Sequence, residues 1–217
     1  MGISAVIPAY NEEKTVAAVV RTLQPHPQVT EVIVVNDGSE DGTSGAARRA
    51  GAHVVDLPQN LGKGAAIMAG ARVAGGEILL LLDADLVGLE PAHIDALLAP
   101  VLHGTAEMTV GIFAGGRWLT DVAHRLTPFL SGQRAVRKEM LLAAESLKDS
   151  RFGLEVSLSR LLGERGCRPV AVPLYNLSHV MKEEKMGFWR GSRARVRMYW
   201  EITRCLARSR GQGAGPG

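Results

Sequence analysis

The strongest constraint on this chain lies in its first 85 residues, where short apolar runs alternate with stretches of helical periodicity. Ile3–Ile7, Val32–Val35, Val54–Val55 and Glu77–Leu82 read as buried strands. Between them, Asn11-Glu12-Glu13-Lys14 opens a helix carrying Val16, Val19, Val20 and Leu23. A second helix starts at Asp41-Gly42-Thr43 and runs through Ala46–Ala50, and Gly62-Lys63-Gly64 begins a small-residue helix to Ala74. Strands alternating with helices of about ten residues predict an α/β fold with a mostly parallel sheet. Pro8 is expected to stop the first strand.

Further along, the pattern predicts helices at Pro91–Leu98, Arg137–Leu147 and Phe152–Leu162, and strands at Met108–Phe113 and Pro169–Leu174. The 217 residues, 46% of them apolar, suffice for one core spanning residues 1–180. Aromatic residues at 5%, against 25 glycines, favour close helix–sheet packing over an aromatic-cored β-sandwich. The two cysteines, Cys167 and Cys205, give neither a disulfide framework nor a zinc-ligand spacing, which points to a reducing compartment. No basic and long apolar opening marks a secretory signal, and Ile78–Leu82 is too short to cross a bilayer. The expectation is a cytoplasmic protein, soluble or peripheral at the inner face of a membrane.

The residues able to do chemistry sit where the strands end. Asp83 and Asp85, two apart in extended chain, project to the same side at the carboxyl end of an apolar strand, where open α/β sheets bind ligands. Two carboxylates so close repel unless a cation lies between them, and oxygen ligands suit Mg²⁺ or Mn²⁺. The alternative is a helix cap at Asp83 and a solvated Asp85. Asp37, in Asn36-Asp37-Gly38-Ser39, suits either contact with a base or ribose or a plain Asx turn. Lys63 between two glycines at a helix N-terminus makes an anion site, without the spacing of a P-loop. His179 follows the last strand in a loop, and position alone gives it no role. Glu155 is a lone acid on an apolar helix, which is costly unless paired or used.

The order of these clues is more specific than any one of them. Ile-Pro-Ala-Tyr-Asn-Glu-Glu (7–13), Val-Ile-Val-Val-Asn-Asp-Gly-Ser-Glu-Asp-Gly-Thr (32–43), Asn-Leu-Gly-Lys-Gly (60–64) and Leu-Leu-Asp-Ala-Asp (81–85) together resemble the nucleotide-sugar half of glycosyltransferase family 2. The resemblance implies a GT-A fold, with residues 1–90 binding the donor and 91–180 forming the acceptor half. It implies that Pro8, Ala9 and Tyr10 line the nucleotide pocket, with Glu12 near ribose or base and Asp37 on the base. Lys63 would lie near base and diphosphate. Asp83-Ala84-Asp85 would be the DXD element, Asp85 the more direct metal ligand and Asp83 turned toward ribose or metal.

In the second half, Ser131-Gly132-Gln133-Arg134-Ala135 is similar to the acceptor segment of polyprenyl-phosphate glycosyltransferases. Phe152-Gly153-Leu154-Glu155-Val156, with the later His179, is similar to glucosyl-3-phosphoglycerate synthases. That similarity implies His179 as a third metal ligand and Glu155 as an acceptor-orienting residue or base. The expected partners are a nucleotide-sugar donor and a small phosphorylated or polyprenyl-phosphate acceptor, with no nucleic acid. No Gln-x-x-Arg-Trp motif of processive synthases occurs, so transfer of a single sugar is expected. The rival readings are a sugar-phosphate nucleotidyltransferase, which should carry a Gly-rich, Arg-containing signature where Pro8-Ala9-Tyr10-Asn11 stands, and a non-catalytic nucleotide-binding module.

Charge sets the end of the chain apart. Residues 1–180 hold 16 Lys and Arg against 19 Asp and Glu, whereas 181–210 hold 9 against 3. Arg190, Arg193, Arg197, Arg204 and Arg208 fall on one helical stripe, flanked by Trp189 and Trp200. A peripheral membrane contact through 187–210 and a helix packed on the core or in a homodimer interface are both open readings. Residues 211–217 have the composition of a disordered tail.

Overall fold

The computed structural model describes residues 2–114, 132–145 and 169–179, all within a compact unit that ends at His179. In chain order its elements are β1 (Ile3–Ala9), α1 (Val16–Leu23), β2 (Glu31–Asn36), α2 (Thr43–Arg49), β3 (His53–Asp56), α3 (Lys63–Val73) and β4 (Ile78–Leu81). There follow β5 (Leu86–Val87), α4 (Pro91–Leu102), β6 (Met108–Ala114), β7 (Arg134–Arg137), α5 (Lys138–Glu145), β8 (Val170–Tyr175) and β9 (Ser178–His179). Seven strands form one sheet in the order β3-β2-β1-β4-β7-β6-β8, with only β7 running antiparallel to its neighbours. This is the mostly parallel, helix-flanked sheet that the sequence predicts.

The apolar runs are continuous because both faces of the sheet are covered. Ala5, Ile7, Val32, Val34, Ile78 and Leu80 face a core layer built with α1, α2 and α4. Their neighbours Val6, Ile33, Val35, Leu79 and Leu81 face a second layer built with α3 and α5. Helix α3 lies close to the sheet, since a Cβ on Gly70 would stand 2.5 Å from Val6 Cγ1 and 3.0 Å from Val35 Cγ2.

Four local readings change. β1 continues through Pro8 to Ala9. The bonds of β1 to β4 end with Leu82 N–H to the Val6 carbonyl, whereas β1 carries on through Pro8 and Ala9 against β2, in register with Val35 and Asn36, so Pro8 ends the ladder on one side only. α4 extends past Leu98 to Leu102 with Pro100 inside it, started by a reciprocal cap between Glu90 and His93. The helix placed at Arg137 begins one residue later, because 134–137 pair with β4 and β6 as β7. His179 is not in a loop: with Ser178 it forms β9, paired to β5. The helix expected at Phe152–Leu162, the basic segment 181–210 and the tail lie outside the described residues.

Candidate metal and nucleotide site

Strands β1, β2 and β4 all finish at one edge of the sheet, leading into Tyr10, Asp37 and Asp83. The chain moves outward from β1 to β2 and β3, then returns to β4 on the other side of β1. The strand order therefore reverses between β1 and β4, which opens the crevice where such sheets take ligands. Tyr10 stands there 45% exposed.

The two aspartates do not lie on one extended strand, because β4 ends at Leu81 and the chain turns at Ala84 and Asp85. His179 brings them together. The antiparallel register sets His179 opposite Leu86, the residue after Asp85. Its Nδ1 lies 2.9 Å from Asp85 Oδ1 and its Nε2 3.8 Å from Asp83 Oδ2. The Phe113 ring meets the imidazole edge-on at 4.9 Å between centroids. One ligand atom from each of Asp83, Asp85 and His179 falls within 4.8 Å of the others. Two carboxylates and one imidazole at a half-open strand end fit a divalent ion such as Mn²⁺ or Mg²⁺.

Lys63, the first residue of α3, holds its ammonium 2.5 Å from Asp83 Oδ1. Its position depends on Asp37, which is 4% exposed. The Asp37 carboxylate accepts the backbone N–H groups of Leu61 (2.8 Å) and Gly62 (2.9 Å), so it anchors the loop that delivers Lys63. Gly62 takes a φ of 90°, a conformation open to glycine at little cost. Pro8 and Ala9 end β1, and Ala84 is buried at the turn between the aspartates.

The loops after β1 and β2 lock together beside this crevice. Asn11 donates its N–H to Ser39 Oγ (2.9 Å) and accepts from Glu40 N–H (3.0 Å). Glu12 N–H donates to Thr43 Oγ1 and its carboxylate accepts from the Thr15 hydroxyl, each at 2.8 Å. Burial pushes the Asp41 carboxyl up, but the Thr43 hydroxyl and backbone N–H groups outweigh that and hold it below the usual carboxylate range.

The segment expected to serve the acceptor reaches the same cluster. A Cβ on Gly132 would stand within 2.5 Å of both Asp83 carboxylate oxygens and of Lys63 Nζ. Gln133 is fully buried and donates its side-chain amide to Asp83 Oδ2 at 3.0 Å. Arg134 is 2% exposed, in register with Leu81 and Val110. Glu155 lies outside the described residues. In the sequence nothing local raises His93 above a surface or packing role, and the structure makes it a buried tie. Its Nδ1 accepts the Glu90 N–H at 3.0 Å, so its Nε2 carries the proton given to the Tyr175 carbonyl at 2.8 Å. It thereby ties α4 to the end of β8, four residues before His179. Only the Glu90–Pro91 start of the helix could have hinted at it.

The family model described as glycosyl transferase family 2 matches residues 4–152. The chain belongs to this family. A glucosyl-3-phosphoglycerate synthase of Mycobacterium tuberculosis is 29% identical over 194 residues, covering 72% of this chain and 59% of that protein. A dolichyl-phosphate beta-glucosyltransferase of Trichomonas vaginalis is 42% identical over 94 residues, covering 37% of this chain and 28% of the relative. The chain thus spans about three fifths, or less, of the length of these relatives. A solved structure of the M. tuberculosis synthase with Mn²⁺, UDP-glucose and phosphoglyceric acid superposes with a TM-score of 0.68 at 29% identity. It covers 83% of this chain and 72% of the other, and fixes the fold as that of the GT-A glycosyltransferases. No helix among the described residues is long and apolar enough to cross a membrane.

Proposed function

We propose that this family 2 member is a metal-dependent glycosyltransferase that moves a single sugar from a UDP-sugar to a phosphate-bearing acceptor. The observation that carries this reading is the convergence of Asp83, Asp85 and His179 at the strand end, beside the switch point and Lys63. Support for UDP and for Mn²⁺ or Mg²⁺ comes from the synthase structures, some with Mn²⁺ and UDP-glucose and one with Mg²⁺ and UDP. Support for the acceptor class comes from two names, phosphoglyceric acid in one relative's complex and dolichyl phosphate in another's name.

In this reading the bond between the anomeric carbon and the diphosphate oxygen breaks as a bond to an acceptor oxygen forms. Negative charge grows on the departing diphosphate. Asp85 and His179, with Asp83 beside them, would hold a divalent ion there, which would supply counter-charge when bound. Lys63 adds a fixed cation, and Asp37 keeps its loop in place. Tyr10 offers an exposed ring at the mouth for the nucleoside, and Glu12 would lie near the ribose or base. An acceptor hydroxyl must give its proton to a base, for which Glu155 is the candidate, whereas an acceptor phosphate oxygen needs none. Each contribution of about 1.4 kcal/mol is tenfold in rate.

The test is release of UDP or GDP from a panel of nucleotide sugars with Mg²⁺ and with Mn²⁺, scored with phosphoglycerate and with a polyprenyl phosphate. Metal-dependent UDP release stimulated by one phosphate acceptor is the expected result. UDP binding by calorimetry without release from any donor would convert the reading to a binding module. Pyrophosphate release from a nucleoside triphosphate and a sugar phosphate would convert it to a nucleotidyltransferase.

A further inference from the structure

Gln133 belongs to the segment whose resemblance pointed to the acceptor, yet its side chain is turned into the metal cluster. The amide nitrogen donates to Asp83 Oδ2 at 3.0 Å, and the residue is fully buried. The other oxygen of the same carboxylate lies 2.5 Å from Lys63 Nζ. A carboxylate held at both oxygens cannot turn about its last torsion. Each oxygen has a second lone pair, and Oδ2 also lies 3.8 Å from His179 Nε2.

The surrounding chain makes room for this arrangement. On one side a Cβ on Gly132 would strike both Asp83 oxygens and Lys63 Nζ, so a side chain there would displace these groups from their present positions. On the other, Gly111 of β6 donates its N–H to the Gln133 carbonyl at 2.8 Å. A Cβ on Gly111 would lie 3.1 Å from Gln133 Cβ and would also strike the Leu174 side chain. The chemistry of the side chain fits too. A neutral amide orients a carboxylate without competing electrostatically with a cation. A second carboxylate here would instead face Asp83 charge to charge.

Resting on the metal-dependent reading above, we propose that Gln133 is a positioning residue of the metal site, aiming Asp83 at the ion. Its action is on the ion and not on the acceptor. Hydrogen-bond partners of metal ligands typically account for about 10- to 100-fold in affinity or activity when removed.

The test compares the full chain with its Gln133→Met variant, in which a side chain of similar length has lost the donor. Mn²⁺ binding is measured by calorimetry without nucleotide, and turnover is measured across a Mn²⁺ titration. We expect Mn²⁺ to bind about 10- to 100-fold more weakly, with kcat recovered toward that of the unmodified chain at saturating Mn²⁺. If the Met variant does not fold, Gln133→Asn, which keeps the amide but ends one methylene short, should show the same loss. Unchanged Mn²⁺ affinity in a folded variant overturns the proposal. So does a fall in kcat, or a rise in the acceptor KM, at unchanged Mn²⁺ affinity, since either places Gln133 on the acceptor. Failure of the unmodified chain to bind Mn²⁺ overturns both this proposal and the functional reading beneath it.

Discussion

A glycine outside the ion cluster should control the affinity of the site for metal. Gly88 follows β5 with φ of 83°, and a Cβ there would strike the backbone carbonyl of Asn176, two residues before β9. Gly88→Ala therefore faces two costs. The left-handed conformation with a Cβ costs about 1–2 kcal/mol, and the clash must be relieved by backbone movement. Relief can come from the core or from the β5–β9 ladder. The ladder is two residue pairs long, Leu86↔His179 and Val87↔Ser178. At about 0.5–1.5 kcal/mol per hydrogen bond it is the weaker element, so it should yield first. Total destabilisation is then capped at about 2–4 kcal/mol, a fall in Tm on the order of 5–15 °C for a domain of this size. The functional cost should be larger. A displacement of about 1 Å at a reacting centre can cost about 100-fold, and His179 rides on the strand that moves. Calorimetry with Mn²⁺ alongside a thermal melt reads both effects. Gly104→Ala is the control, with φ of 69° and open space around the added Cβ: it should lower Tm modestly and leave Mn²⁺ binding intact. A Gly88→Ala protein with lowered Tm but unchanged Mn²⁺ affinity would refute the idea that the short ladder positions His179.

Three other outcomes are expected. Asp85→Ala should remove metal-dependent UDP binding, and retained Mn²⁺-dependent affinity in calorimetry contradicts its role as ligand. Gly70→Ala should destabilise by about 1–2 kcal/mol in urea unfolding, since overpacking against Val6 and Val35 at about 1–3 kcal/mol outweighs the helix-propensity gain of alanine, about 1 kcal/mol; a higher unfolding midpoint would show that α3 lies farther from the sheet. At Glu31, burial pushes the carboxyl up but hydrogen bonds from Ser4 and from the backbone of Gly75 and Gly76 hold it below its ordinary value of 4.5. Its contribution to stability is therefore present above that value and lost as pH falls through the lower folded-state value. Ser4→Ala should flatten this acid-side loss in melts taken between about pH 5 and 3, and an unaltered slope would count against the assignment.

Much of the first 90 residues was legible because the physics there is local. A strand covered on both faces must be apolar along its length, and its end must turn, so Val32–Asn36 followed by Asp37-Gly38 announces both the element and the site. Pro8 misled only because the boundary rule ignores which neighbour a strand residue bonds. β7 was hidden for a different reason: Arg134 and Arg137 bracket it, and a charged residue buried in a strand leaves no period-two signal. The contacts of Gly132 and Gln133 with Asp83 have no signature in spacing at all.

The Asp83–Asp85–His179 cluster divides along the same line. Asp83 and Asp85 were visible as a pair at a strand end, though the geometry that joins them is a turn and not an extended strand. His179 had no standing by position, and only its likeness to a family pattern raised it. The 94-residue separation between His179 and Asp85 is bridged by a ladder of two pairs, too short to leave any periodicity in the sequence. Such a ladder draws its stability from what flanks it. On one side is the Gly88–Asn176 contact, which tolerates no side chain. On the other is the Glu90–His93–Tyr175 chain of hydrogen bonds, which fixes the end of β8. Both are tertiary devices built on single residues. The chemistry of this site could be read along the chain because it depends on residue type, whereas its alignment depends on register, which becomes legible only once the strands have paired.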